Sequence, residues 1–204
     1  MGWYGKLPWV GDFVGHGLPW QRQWDDWLQH SLRGAEARLG ATALRERVRG
    51  MAHWQWLRPG GPAGELGWCG LVAGSADRVG RVFPLVLAEG VPQPALDRLP
   101  LLDLQSRGLA LSDWLWEAAA LESLEQFAQA AQAGAASPWP AATNAPVISA
   151  QDTVADLRRT TDGAASFWWC TEPVADVRQP IVETWPPSPD LLLRLLETDA
   201  YPSG

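Results

Sequence analysis

The sequence predicts an α+β fold in which helices pack against a mainly antiparallel sheet, with residues 1–204 forming a single domain. Three observations point there. Short apolar segments bounded by Gly- and Pro-rich turns occupy much of the first half, as expected of strands joined directly to one another. Apolar residues at helical spacing lie on either side of them, and the order of strands, then helices, then strands suits α+β rather than alternating βα units. With 47% hydrophobic and 19% charged residues over 204 positions, the chain can build one sizeable core and is too apolar to be disordered.

The opening segment, Gly2 to Pro19, is punctuated by Gly5, Pro8, Gly11, Gly15 and Gly17, with Trp3, Trp9 and Phe13 between them. This predicts a short extended piece followed by a fixed loop. Trp20, Trp24, Trp27, Leu28 and Leu32 then share one helical face while Arg22, Asp25, Asp26, Gln29 and Arg33 take the other, a helix that runs toward Leu39 and stops at Gly40. Met51 to Leu57 alternates, placing Trp54 and Trp56 on one face and His53, Gln55 and Leu57 on the other, which predicts a half-buried strand. The turn at Pro59-Gly60-Gly61-Pro62 leads into a second strand at about Leu66 to Val72. A loop with Asp77, Arg78, Gly80 and Arg81 precedes a third strand, Val82 to Ala88, in which Pro84 argues for an edge position or a bulge.

Residues Glu89 to Pro100 read as a Pro-containing crossing. Ser112 is placed as a helix N-cap, with Leu111 and Trp116 as a hydrophobic staple across it. Ser123 to Gln126 has the Ser-x-x-Gln capping-box pattern, so two helices or one kinked helix fit equally. Ser137 to Pro146 is a Pro/Ala loop, Asp152 caps a short helix through Leu157, and Ser166 to Thr171 and Ile181 to Trp185 read as strands. Ser188-Pro189 starts a last helix with Leu191, Leu192, Leu195 and Leu196 facing the core, since proline is tolerated at the first helical position.

Several function classes are excluded by composition and pattern. No apolar run approaches the roughly 20 residues of a membrane span, and the N-terminus has neither a signal-peptide pattern nor a myristoylation signal, which predicts a cytoplasmic protein without direct membrane insertion. A net charge of −7 with scattered basic residues disfavours nucleic acid. Cys69 and Cys170 sit far apart in apolar strand-like segments and are expected to be reduced thiols. The 14 tryptophans are expected to supply core and interface bulk, an aromatic ligand platform being the alternative.

Nucleotide-loop, zinc-binding and nucleophile-elbow patterns are missing, so no cofactor and no catalytic residue is assigned. Of the three histidines, His30 is expected in a surface ion pair with Asp26, and His53 as a half-buried, hydrogen-bonded imidazole. His16, near Asp12, forms the one pairing worth testing for acid–base work. Asp77, Arg78 and Arg81 either present a polar surface or hold their own loop by pairing an arginine with Asp77 or with carbonyls. Lys6 is the only lysine in the chain.

Three blocks carry a resemblance. They are Gly2-Trp-Tyr-Gly-Lys-Leu-Pro-Trp-Val-Gly-Asp-Phe-Val, with Gly17-Leu-Pro and Trp24-Asp-Asp-Trp-Leu after it; Ser75-Ala-Asp-Arg-Val-Gly-Arg-Val-Phe-Pro-Leu; and Ser166-Phe-Trp-Trp. In this order, over about residues 2 to 171, they resemble the TagF (ImpM) family of type VI secretion accessory proteins. The departures are His16, where a residue such as Arg is expected, and the wealth of Trp.

The resemblance implies a cytoplasmic, non-enzymatic regulator that restrains secretion after translation by binding an apparatus component, the forkhead-associated-domain scaffold protein being a candidate. Some relatives carry a fused phosphatase domain; a chain ending at Gly204 would leave that role to a separate protein. The expected partner-binding residues are Lys6, Asp12, Asp77, Arg78 and Arg81, in the loops after Lys6 and around Arg78. The rival expectation is a small-ligand-binding or enzymatic domain with a Trp-lined pocket on which Asp12, His16, Asp77 or Arg78 converge.

Overall fold

A computed structural model describes residues 1–60, 66–135, 153–159, 165–171 and 180–197. Among them the chain forms seven strands, β1 (Gly2–Gly5), β2 (Val14–His16), β3 (Trp54–Arg58), β4 (Leu66–Ala73), β5 (Leu85–Pro92), β6 (Ala165–Cys170) and β7 (Ile181–Thr184). They make one sheet in the order β2-β1-β5-β4-β3-β6-β7, and each neighbouring pair is antiparallel. The helices are α1 (Gln21–Leu39), α2 (Ala41–Arg49), α3 (Gln93–Asp97), α4 (Leu101–Ala118), α5 (Leu124–Ala135), α6 (Val154–Arg159) and α7 (Pro189–Glu197). The fold is α+β with helices on both faces of the sheet.

Strand alternation distributes the core between those faces. Trp54, Trp56, Val72, Val86, Ala88 and Trp168 point to one side, where they meet Trp24, Trp27 and Leu28 of α1, Leu44 and Val48 of α2, and the four leucines of α7. Leu57, Cys69, Phe167 and Trp169 point to the other and pack with α3, α4 and α6. Leu71, Leu85 and Leu87, also on that side, pack with Trp3, Leu7, Ala118 of α4 and Phe127 of α5. Because both sides are covered, β3 is buried along almost its whole length rather than half-buried, correcting the expectation drawn from its alternation.

The tryptophans are mainly core. Trp24 lies between Trp27, Trp56, Trp168 and Trp185, with ring centroids 4.9–6.2 Å apart, and Trp27 Nε1 donates to the Ser188 carbonyl at 2.9 Å. Trp20, which caps α1 in the left-handed region at φ 52°, is held edge-on to Trp68 and Trp185, and the Arg58 guanidinium lies 3.9 Å from its ring centroid. These contacts offset the strain of a bulky residue at positive φ.

Five expectations need correction. Pro84 is not in an edge strand: β5 begins one residue later and lies centrally between β1 and β4, while Val82 bridges Ala76 to close the preceding loop. A proline just ahead of a strand removes no ladder hydrogen bond, which is why it is accepted there. The supposed crossing from Glu89 instead continues β5 to Pro92 and then forms α3.

Ser112 is not an N-cap but a buried residue of α4, which starts eleven positions earlier after Pro100, and Trp116 is exposed rather than stapled to Leu111. A second helix, α2, follows Gly40 without having been expected, with Leu44 and Val48 as its buried residues. His30 is exposed and, among the described residues, makes no ion pair with Asp26.

The open question at Ser123 resolves as two helices, with the Gln126 N–H donating to Ser123 Oγ at 3.2 Å at the start of α5. Asp152, much of the Pro59 to Pro62 turn and the Ser137 to Pro146 loop lie outside the described residues. At α6 the capping interactions come from Thr153, whose Oγ1 accepts from the Asp156 N–H at 3.3 Å while Asp156 accepts from the Thr153 N–H at 2.8 Å.

Candidate functional site

Two loops, one following β1 and the other between β4 and β5, are knitted together at one end of the sheet. Lys6, next after β1, is 5% exposed and its ammonium donates to Asp77 Oδ2 at 2.7 Å. Asp77 is also buried and accepts three further hydrogen bonds, from the Val79 N–H (3.1 Å), the Arg81 N–H (2.8 Å) and Arg81 Nε (2.6 Å). Burial by itself would raise the Asp77 pKa, but the hydrogen bonds from Lys6 and Arg81 and the Lys6 charge more than reverse it. The carboxyl is therefore held well below its ordinary range and is ionised at neutral pH.

The backbone closes the same loop. Asp77 N–H donates to the Arg81 carbonyl at 3.0 Å and Gly80 N–H to the Asp77 carbonyl at 2.9 Å, with Gly80 at φ 84° where a side chain would strain the turn. Arg78 N–H donates to the Val10 carbonyl, Ser75 Oγ to the Lys6 carbonyl at 2.7 Å, and Arg81 Nη2 to the Gly11 carbonyl. Phe83 seals the junction with edge-on contacts to Tyr4 and Phe13.

Beside this junction lies a cavity of about 450 Å³ open to solvent. The paired loops contribute Pro8, Trp9, Ser75, Asp77 and Arg78 to its wall, and α4 contributes Leu115 and Trp116. Three contacts fix α4 against the sheet. Glu89 of β5 receives a two-pronged ion pair from Arg107 at 2.8–3.2 Å, Gln55 Nε2 donates to the Leu104 carbonyl at 2.6 Å, and His53 Nδ1 shares a 2.6 Å hydrogen bond with Ser112 Oγ. Burial pushes the His53 pKa down to about 4, so the ring is neutral at pH 7, and Trp116 stacks on it at 5.1 Å.

The structure thus brings Lys6, Asp77 and Arg81 into direct contact and places Arg78 at the exposed edge of the adjoining cavity. Asp12 is exposed, and it does not pair with His16, whose ring instead lies 4.9 Å from that of Trp3. The parts of the site that sequence reasoning missed are Trp116, Arg49 and the His53–Ser112 pair. A bulky aromatic between Asp113 and Glu117 is a legible sign of an exposed Trp, but the cap-like Ser112 points to a staple with Leu111 instead.

The chain matches the TagF N-terminal domain family, described as type VI secretion system-associated, over residues 2–143. It belongs to the TagF family. Among solved structures it is similar to the crystal structure of PA0076 from Pseudomonas aeruginosa PAO1, with a TM-score of 0.72 and 27% sequence identity, covering 100% of this chain and 97% of that one. Among curated proteins none matches the sequence.

The TagF resemblance of the first two blocks acquires a physical meaning at this junction. Gly5-Lys6-Leu7-Pro8 supplies the buried ammonium, and Asp77-Arg-x-Gly-Arg-x-Phe-Pro supplies the carboxylate, the positive-φ glycine, the second cation and the aromatic seal. A buried carboxylate with four donors tolerates few substitutes, because removing any one leaves charge poorly compensated. Among the described residues no helix is long and apolar enough to cross a membrane.

Proposed function

We propose that this TagF-family chain is a non-enzymatic, cytoplasmic regulator that restrains type VI secretion after translation by binding a component of the apparatus. The forkhead-associated-domain scaffold protein is the first candidate partner. Family membership supports the connection to type VI secretion. The observation that carries the mode of action is the division of labour in the motif loops. Lys6 and Asp77 are buried and neutralise each other, whereas Arg78, Arg81 and Asp12 face solvent on the scaffold that this pair holds.

In this reading Lys6 and Asp77 position the binding surface, and Arg78, Arg81 and Asp12 touch the partner. Restraint requires no chemistry: a protein that binds the assembly-incompetent form of its partner more tightly than the competent form shifts the population toward the former. The test is co-purification of apparatus components with the wild-type chain and with Arg78→Ala. The expected result is loss of the component with an unchanged thermal melt. If stability and binding fall together, Arg78 is a structural residue and the contact lies elsewhere.

The rival reading draws on the cavity, whose volume lies within the range of small-molecule sites. His16 does not line this cavity, so turnover of a substrate by the purified chain, abolished by Arg78→Ala at the cavity's edge, would favour it over the regulator.

A further inference from the structure

Among the described residues, the outer face of α4 takes no part in the core clusters. Leu102, Leu109 and Trp116 are spaced by seven residues and are 60%, 48% and 64% exposed, so they form one stripe along the helix. At 1.5 Å per residue this stripe is about 21 Å long. Its Trp116 end forms part of the cavity wall, where the surrounding surface is apolar through Leu7, Pro8, Trp9 and Leu85. Arg49 and Arg78 also line this cavity.

The charges at the mouth run against those of the whole chain. The protein carries −7 overall, yet Arg49 and Arg78 line the opening, and the acid in its wall, Asp77, is already engaged by Lys6 and Arg81. Arg49 donates to the Gly80 carbonyl, while the Arg78 guanidinium has no ion-pair partner among the described residues. An exposed apolar ridge continuous with an apolar cavity, bordered by an unspent cation, is complementary to an apolar anchor flanked by an acid.

We propose that the cavity and the Leu102–Leu109–Trp116 stripe form one docking groove for a segment of a partner protein, which places a large apolar side chain in the cavity and an Asp or Glu against Arg78. The groove's length selects a polypeptide over a small molecule: the cavity could house one side chain or a compact ligand, but the stripe extends well beyond either. Trp116 is held in place by its stacking on His53, so the aromatic anchor of the groove is ordered before binding. This inference rests on the partner-binding reading above and specifies the chemistry that such a partner presents.

The test uses the 204-residue chain and two sets of fluorescently labelled peptides of about 15 residues, long enough to span the stripe as a helix. One set tiles the cytoplasmic components of the type VI apparatus; the other consists of designed sequences with Leu or Phe flanked by Asp on a neutral background. Anisotropy titrations at about 50 and about 200 mM salt should show tighter binding at low salt. Arg78→Glu and Trp116→Ala should each weaken binding about tenfold or more with unchanged melts. Replacing the peptide acid by Lys should abolish binding to the wild type and restore it to Arg78→Glu. If Trp116→Ala perturbs the melt, Leu109→Glu, farther from the cavity, should show the same loss.

An apparatus component that binds wild type, Arg78→Glu and Trp116→Ala equally would overturn the groove and the Arg78 contact, while leaving regulation by partner binding in place. Designed peptides that bind as expected while no apparatus component does would support the groove and overturn the regulatory reading. Phenylacetate binding as tightly as the best peptide would overturn the groove in favour of a small-carboxylate pocket.

Discussion

Lys6 and Asp77 stand 71 positions apart and form the buried ion pair at the centre of the contacts that join the two motif loops. The pairing of Asp77 with Arg81 is local and was among the alternatives the sequence left open; the ammonium from Lys6 closes over a distance that no spacing rule reports. Asp77→Asn should lower the melting temperature at pH 7. Because the folded carboxyl titrates below its ordinary value of 3.8, the stabilisation is complete above that value and is lost as pH falls below it, so the gap between variant and wild type should narrow in acid. His53 behaves in the opposite chemical sense with the same sign of slope. Its folded pKa of about 4 against an ordinary 6.5 means that the unfolded chain binds the proton first, so stability falls as pH drops from 6.5 toward 4. The shift corresponds to a loss of up to about 3 kcal/mol. Urea melts across that window should show a shallower slope for His53→Gln.

At the scale of elements, α1 and α7 were legible because their apolar stripes are continuous and their stops or starts are marked by Gly40 and Ser188-Pro189. Trp27→Ala should cost about 3–5 kcal/mol in a denaturant melt, the usual penalty for removing a large core aromatic. The helix α2 escaped notice because Leu44 and Val48 alone do not make a periodic signal, and α4 was started late because Ser112 has the residue type of a cap. What distinguishes a capping serine from a buried one is its partner, and here the partner is His53 on the far side of a tertiary contact. Most strand positions were legible, but β2 at Val14–His16 falls where a fixed loop is expected, and the strand order was not legible: Pro84 suggested an edge, and only the pairing of β5 with both β1 and β4 makes it central. Burial within β4 pushes the Cys69 thiol upward, with Glu89 adding to the effect and Arg107 opposing it. In native protein Cys69 should therefore alkylate much more slowly than the half-buried Cys170, while denatured, unreduced protein should take up two labels.

Across the whole molecule, the sheet separates two cores, and the two family blocks meet at one end of it. The face with α1, α2 and α7 holds most of the tryptophan cluster and is sealed, so the unusual Trp content is spent mainly on stability rather than on a ligand platform. Among the described residues the opposite face keeps one exposed tryptophan, Trp116, beside the cavity and the Arg78 loop. Motif chemistry named the loops in advance, but which of their charges are turned inward depends on long-range packing and emerged only with the fold. The most direct test of the account is secretion by cells with an active type VI apparatus that overproduce this chain or its Arg78→Ala variant at equal levels. The account predicts that wild type suppresses the secreted protein in the culture supernatant and that the variant, equally stable, does not. Undiminished secretion with the wild type, or equal suppression by both, would contradict it.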